Sequence, residues 1–113
     1  MNVSVLNTCL LKLTTRLQGA LGEKGLAYIA LRSAKGKLFG NATDRAMIIY
    51  SNCECKTTDP GLCFVPAKLF CDVVRELPSG QIHLKSTKNS LLLSAETQTK
   101  FAINIPLLQG LEW

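Results

Sequence analysis

Hydrophobic and polar positions change period several times along the chain, and the changes outline its elements. Asn2 to Leu6 alternates polar and apolar residues, as a short half-buried strand does. From Asn7 the period becomes helical: Leu6, Leu10, Leu13 and Leu17 make one face, bordered by Cys9, while Lys12, Thr15 and Arg16 lie elsewhere on the circumference. Asn7 or Thr8 can cap the start, and Gly19 with Gly22 marks the end, leaving Leu21 to Gly25 as a loop that carries Glu23 and Lys24. Three β-like runs follow at Ala27 to Ala34, Lys37 to Ala42 and Ala46 to Cys55, separated by Lys35-Gly36 and by Thr43-Asp44-Arg45. Met47, Ile48, Ile49 and Tyr50 form an unbroken apolar run, which suggests a strand covered on both faces or one at a domain junction. Lys56 to Gly61, KTTDPG, is the strongest loop signal, since Asp-Pro-Gly supplies turn chemistry in three successive residues.

The pattern then starts again. Leu62 to Val65 reads as a short strand, and Pro66 suits the first position of a helix because its missing N–H would have no partner there. Phe70, Val73, Val74 and Leu77 give that helix an apolar stripe opposite Lys68, Asp72 and Arg75, and Pro78-Ser79-Gly80 closes it. Strands follow near Gln81 to Ser86, Ser90 to Ala95 and Thr99 to Ile105. The three strands of each half begin near 27, 37 and 46 and again near 81, 90 and 99, a repeat of 53–54 residues. One βαβββ unit therefore occurs twice in a single domain, at about 1–55 and about 62–108, around a linker at 56–61. Half a domain cannot bury its sheet and helix alone, so the expected fold is α+β, with one core and both helices on one side of a curved antiparallel sheet. A pseudo-twofold relation would turn the two charged faces the same way, joining Lys12 and Arg16 to Lys68 and Arg75 in one basic surface.

Charge and composition narrow the class. With 113 residues, 47% hydrophobic and 19% charged, the chain is one globular domain rather than a disordered segment. The formal charge of +5 favours a polyanionic partner. No apolar run reaches the length of a membrane span, and Met1-Asn2-Val3-Ser4-Val5 lacks the form of a signal peptide, so the expected location is the cytoplasm, with no membrane partner. The five cysteines show no disulfide framework, and reduced thiols fit them best.

Several stretches, in order, resemble one family. LFGNATDRAMIIY, VPAKLFCDVVRELPSG, QIHLKSTKNSLLLSA and KFAINIPL are similar to the amino-terminal domain of the bacterial DNA polymerase III beta subunit, the sliding clamp. The most specific parts are Ala42-Thr43-Asp44, Val65-Pro66-Ala67-Lys68 and Leu77-Pro78-Ser79-Gly80, and the match runs from Met1 to the terminal Leu111-Glu112-Trp113. The resemblance implies the DNA clamp, or processivity, fold. In that family three such domains make a subunit, two subunits close a ring around duplex DNA, and the ring tethers the replicative polymerase without catalysis. It implies sequence-independent contact with duplex DNA through Lys12, Arg16, Lys68 and Arg75 on the inner helices, and through Lys24, which matches a basic position of the family. It also implies a subunit interface at Lys100, Phe101 and Ile103 on the last strand and at Leu69 and Val73 on the second helix. Other expected partners are further clamp domains, and DNA polymerase III and the clamp loader through domains that this chain does not contain.

The chain departs from the family pattern in two places. Between Gly25 and Gly36 it is shorter by a few residues, with Leu26-Ala27-Tyr28-Ile29 in place of Leu-Pro-Ile-Leu. It also stops where a second and third domain would begin, which reads as a piece of a full clamp; the alternative is a stand-alone single-domain relative that caps another clamp subunit. Catalytic chemistry finds no foothold. Cys53-Glu54-Cys55 places two thiols on one strand face, but a structural zinc site needs four ligands and the single His83 has no companion. Cys9, Cys63 and Cys71 read as core fillers, with Cys71 the best placed for exposure. Asp44 reads as a turn or cap residue, Trp113 as an anchor or a disordered end, and no cofactor is expected.

Overall fold

The computed structural model describes residues 1–19, 28–43, 48–95 and 101–109. Strand β1 (Asn2–Leu6) runs without a gap into helix α1 (Asn7–Gly19), and three strands follow: β2 (Tyr28–Ala34), β3 (Lys37–Thr43) and β4 (Ile48–Glu54). A short strand β5 (Lys56–Asp59) leads to the second unit of β6 (Gly61–Pro66), α2 (Ala67–Arg75), β7 (Gln81–Ser86), β8 (Ser90–Ala95) and β9 (Phe101–Pro106).

All pairing is antiparallel, and the strands form two sheets rather than one, in the orders β5-β1-β7-β8-β9 and β4-β3-β2-β6. The first strand of each unit joins the three-stranded meander of the other, so β1 pairs with β7 and β6 pairs with β2. The ladder registers repeat the sequence period: Ala30 opposite Asn41 has its counterpart in His83 opposite Ser94, 53 residues on. At the strand–helix junctions Pro66 faces Tyr28 as Leu6 faces Gln81. Neither unit can complete its sheet alone, which makes the domain a single cooperative body.

Both helices lie beside each other, α1 over β3 and β4, α2 against β6 and β2. One apolar cluster joins Leu10, Leu13 and Leu17 of α1 to Phe70 and Val74 of α2 and to inward strand residues of both sheets, among them Val5, Leu31, Leu38, Val65, Leu84, Leu93 and Ile105. Gly40 on β3 lets α1 sit close: a Cβ there would lie 2.8 Å from Leu17 Cδ1 and 3.1 Å from Leu13 Cδ2.

Five local expectations are corrected. Leu6 is not on the helical face; the β1–β7 ladder extends to it, and the alternation that buries Val3 and Val5 turns Leu6 out, 44% exposed. Pro66 is the N-cap rather than the first helical residue, with φ −60° and ψ 124°, because it ends β6 paired to Tyr28. Helix α2 stops at Arg75 and not Leu77; the Glu76 N–H donates to the Val73 carbonyl and the Leu77 N–H to the Val74 carbonyl, a tighter i→i−3 pattern ahead of Pro78. Lys56–Asp59 is not a loop but an edge strand paired with β1 across a bulge, since Thr57 and Thr58 suit a strand and the outer side of β1 is otherwise unpaired. Asn7, expected as a helix cap, is tied instead to the stop of the other helix. Its N–H donates to the Gly80 carbonyl at 2.9 Å and its Oδ1 accepts from the Gly80 N–H at 3.1 Å. Gly80 holds φ +111°, which only glycine adopts without strain.

Candidate nucleic-acid interface

Burying Leu10, Leu13 and Leu17 leaves Lys12 and Arg16 of α1 exposed on the far side from the sheets. No acidic residue occurs anywhere in α1. On α2, burial of Phe70, Cys71, Val73 and Val74 leaves Lys68 and Arg75 exposed. Arg75 is paired with Asp72 one turn earlier, both side chains about half exposed at 51% and 47%. Among the described residues Lys12, Arg16 and Lys68 form no ion pair, so they carry most of the free positive charge of this layer. Arg16 and Arg75 also stand in the last turns of their helices, where a cation opposes the partial negative charge of the carbonyl end. Lys24 lies outside the described residues.

The expected interface residues divide. Leu69 is 42% exposed on a helix whose neighbouring apolar residues are buried. Val73 faces inward and is only 9% exposed, so it supports the core beneath Leu69 instead of standing on the surface. Ile103 is half-buried against the core, on β9, which is the last strand of the five-stranded sheet. Phe101 begins that strand but its side chain, like Lys100, lies outside the described residues. The helices explain the position of Leu69. With α1 and α2 aligned from their first residues, Leu69 corresponds to Cys9; Cys9 packs against the core under the α1–β4 contact, whereas Leu69 stays open.

The apolar run at the opposite margin, which suggested a strand covered on both faces or one at a domain junction, is not covered on both faces. Strand β4 ends the four-stranded sheet and exposes Ile48 (57%) and Tyr50 (69%), a solvent-facing apolar pair on an edge with free backbone groups. The signal was the unbroken Met47-Ile48-Ile49-Tyr50 run, of which Met47 lies outside the described residues.

Burial pushes the Cys53 thiol up to about 12, with nearby Cys9 and Cys55 adding to the rise, and burial pushes Cys63 to about 11. Cys71, expected as the exposed thiol, is buried at 2% and raised chiefly by that burial, because α2 turns it into the core beside Phe70. No group of three His, Cys, Asp or Glu side chains among the described residues is fit to hold a metal ion. Asp44 and Trp113 lie outside the described residues, and no described helix is long and apolar enough to cross a membrane.

Two swapped βαβββ units, a basic helix layer and open strand edges at both ends define a domain of the DNA clamp fold. A family model described as the DNA polymerase III beta subunit, N-terminal domain, matches residues 1–109, and the chain belongs to that family. Among solved structures it is similar to the Helicobacter pylori beta clamp bound to a DNA ligase peptide, with 25% identity and a TM-score of 0.85 over 96% of this chain and 31% of that one. It is also similar to Caulobacter crescentus pol III beta, with 26% identity and a TM-score of 0.83 over 96% of this chain and 30% of that one. The chain thus spans about a third of the length of these clamps. Comparison with curated proteins gave no match.

Proposed function

We propose that the chain acts as the first domain of a DNA polymerase III sliding clamp, a non-catalytic processivity factor that encircles duplex DNA and holds the polymerase to it. The observation that carries this reading is the helix layer: Lys12 and Arg16 on a helix free of acidic residues, beside Lys68 on the neighbouring helix. Cations on such a wall attract phosphates and read no bases, which is what a sliding surface needs. Lys24 and Arg75 extend the wall, Arg75 with its charge shared by Asp72. Leu69, Lys100, Phe101 and Ile103 form the junction with a neighbouring subunit, with Val73 fixing Leu69 from below. The β4 margin with Ile48 and Tyr50 meets the next domain. In this reading the chain is one clamp domain of two repeats joined at 56–61 and works in the cytoplasm. DNA polymerase III and the clamp loader act on further domains of the ring.

The reading is tested by measuring association with two unrelated duplex sequences as salt is raised. Equal affinities that fall together along a linear log–log plot are expected. Preference for one sequence, or affinity independent of salt, contradicts the reading.

A further inference from the structure

The four-stranded sheet carries aromatic rings on the side that the core does not use. Alternation along its strands turns Ile29, Leu31, Leu38, Cys63 and Val65 into the core, and the residues between them face away from the helices. The ladder registers set those outer residues in two neighbouring rows. One row runs Phe64–Ala30–Asn41–Tyr50, and the next runs Leu62–Arg32–Phe39–Asn52. Both tyrosines and two of the four phenylalanines, Phe39 and Phe64, are on this face, whereas among the described residues Phe70 is the aromatic residue of the core. Phe64 is buried at 8% without belonging to the core cluster, and Tyr28 meets it edge-on with ring centroids 5.8 Å apart. The Arg32 guanidinium carbon lies 5.6 Å from the centre of the Phe39 ring, and Tyr50 stands open at 69% exposure. The face is net positive: Arg32, Lys35 and Lys37 are exposed at and beside the β2–β3 turn, against Glu54 opposite Lys37. On the other sheet the matching outer row, Ser4–His83–Ser94–Ala102, has no Phe, Tyr or Trp.

We propose that this face binds single-stranded nucleic acid, with bases stacked on Tyr50 and on the Phe39–Arg32 pair and phosphates drawn to Lys35 and Lys37. Rings on a four-stranded sheet take unstacked bases of any kind, a guanidinium plane adds to the stack, and cations beside them meet the backbone. Duplex DNA keeps its bases stacked on one another and cannot use Tyr50 in this way. A protein partner would seek apolar space between the rings, but the amides of Asn41 and Asn52 occupy it, next to Tyr50 and Phe39 in the ladders, and amides suit base edges. Tyr50 points out of the plane of the sheet, so a strand paired to the β4 edge leaves its ring open. The face lies on the far side of the sheet from the helix layer, and its binding is independent of whether that layer meets duplex DNA.

The test uses the full chain and an oligothymidylate of about 12 nucleotides carrying 5-iodouracil, with crosslinks mapped after irradiation and affinity measured as salt is raised. Crosslinks are expected on Tyr50 or Phe39. Tyr50→Ala weakens binding about ten-fold at every salt concentration and leaves the salt slope as it was, because it removes a stacking ring and no charge. Tyr50→Phe keeps the ring and binds as the wild type does, while Lys35→Ala lowers the salt slope by about 0.7, the loss of one phosphate contact on a single strand. Crosslinks confined to α1 or α2, equal affinity of Tyr50→Ala and wild type, or no binding overturns the proposal. So does a dimer of the free chain that Tyr50→Ala abolishes, which would give the face to a second copy. The crosslinks are read on the wild-type chain, so the outcome does not depend on any variant folding.

Discussion

Gly40 shows how much a single residue can decide. It sits on β3 beneath α1, where Leu13 and Leu17 occupy the space of a side chain. Gly40→Val is expected to push α1 outward at a cost of about 1–3 kcal/mol, read as a lower denaturant midpoint with an unchanged slope. An unchanged midpoint contradicts the close seating of the helix. In the sequence Gly40 looks like an ordinary strand glycine, because the leucines that need its space lie more than twenty positions away. Cys53 adds a pH signature. Its folded pKa of about 12 lies above the ordinary 9.0, so the unfolded chain ionises first and stability from this group is lost as pH rises from 9.0 towards 12. Cys53→Ser should flatten that part of the stability curve, and an unaltered alkaline slope would remove the assignment. Leu69 stands outside the apolar stripe of α2 in the sequence and is exposed, whereas Val73, one turn later, already belongs to that stripe by its spacing and is buried; only the resemblance placed it at the interface.

At the scale of elements, helix periodicity carried further than helix ends. The stripes of α1 and α2 are where the pattern puts them, but the boundaries moved wherever a ladder competed for the same residues, at Leu6 and at Pro66. KTTDPG was read as a loop because turn residues dominate it, yet β1 had an unpaired side, and pairing prevailed over local composition. The basic helix faces make a graded prediction. Lys12→Ala and Lys68→Ala should each lower the salt slope of DNA association by about 0.9, the loss of one phosphate contact. Arg75→Ala should lower it less, since its partner Asp72 already neutralises part of the charge. Equal effects at all three positions contradict the distribution of charge described above. On β4, Ile48→Lys is expected to change stability by no more than about 0.5 kcal/mol, since the side chain is exposed, while weakening association with a neighbouring domain in sedimentation measurements.

For the whole molecule, the duplication was visible in the sequence and its wiring was not. A period of 53–54 residues gives two units and one core, but nothing local says that β1 completes the meander of the second unit or that β6 completes that of the first. That exchange places α1 and α2 side by side, so the helix with exposed Lys12 and Arg16 neighbours the helix with exposed Lys68. It also leaves β4 at one end of the four-stranded sheet and β9 at one end of the five-stranded sheet, two strand edges at which a domain can be joined to neighbours. Lys24 and Lys100 were assigned by resemblance alone, because neither periodicity nor charge singles them out. The decisive measurement uses a ring in which this chain supplies the first domain, loaded on circular duplex DNA that is then cut once. Retention on the circle and release on cutting are expected at a salt concentration that abolishes simple electrostatic binding. Equal loss from circular and linear DNA would contradict a domain built to encircle the duplex.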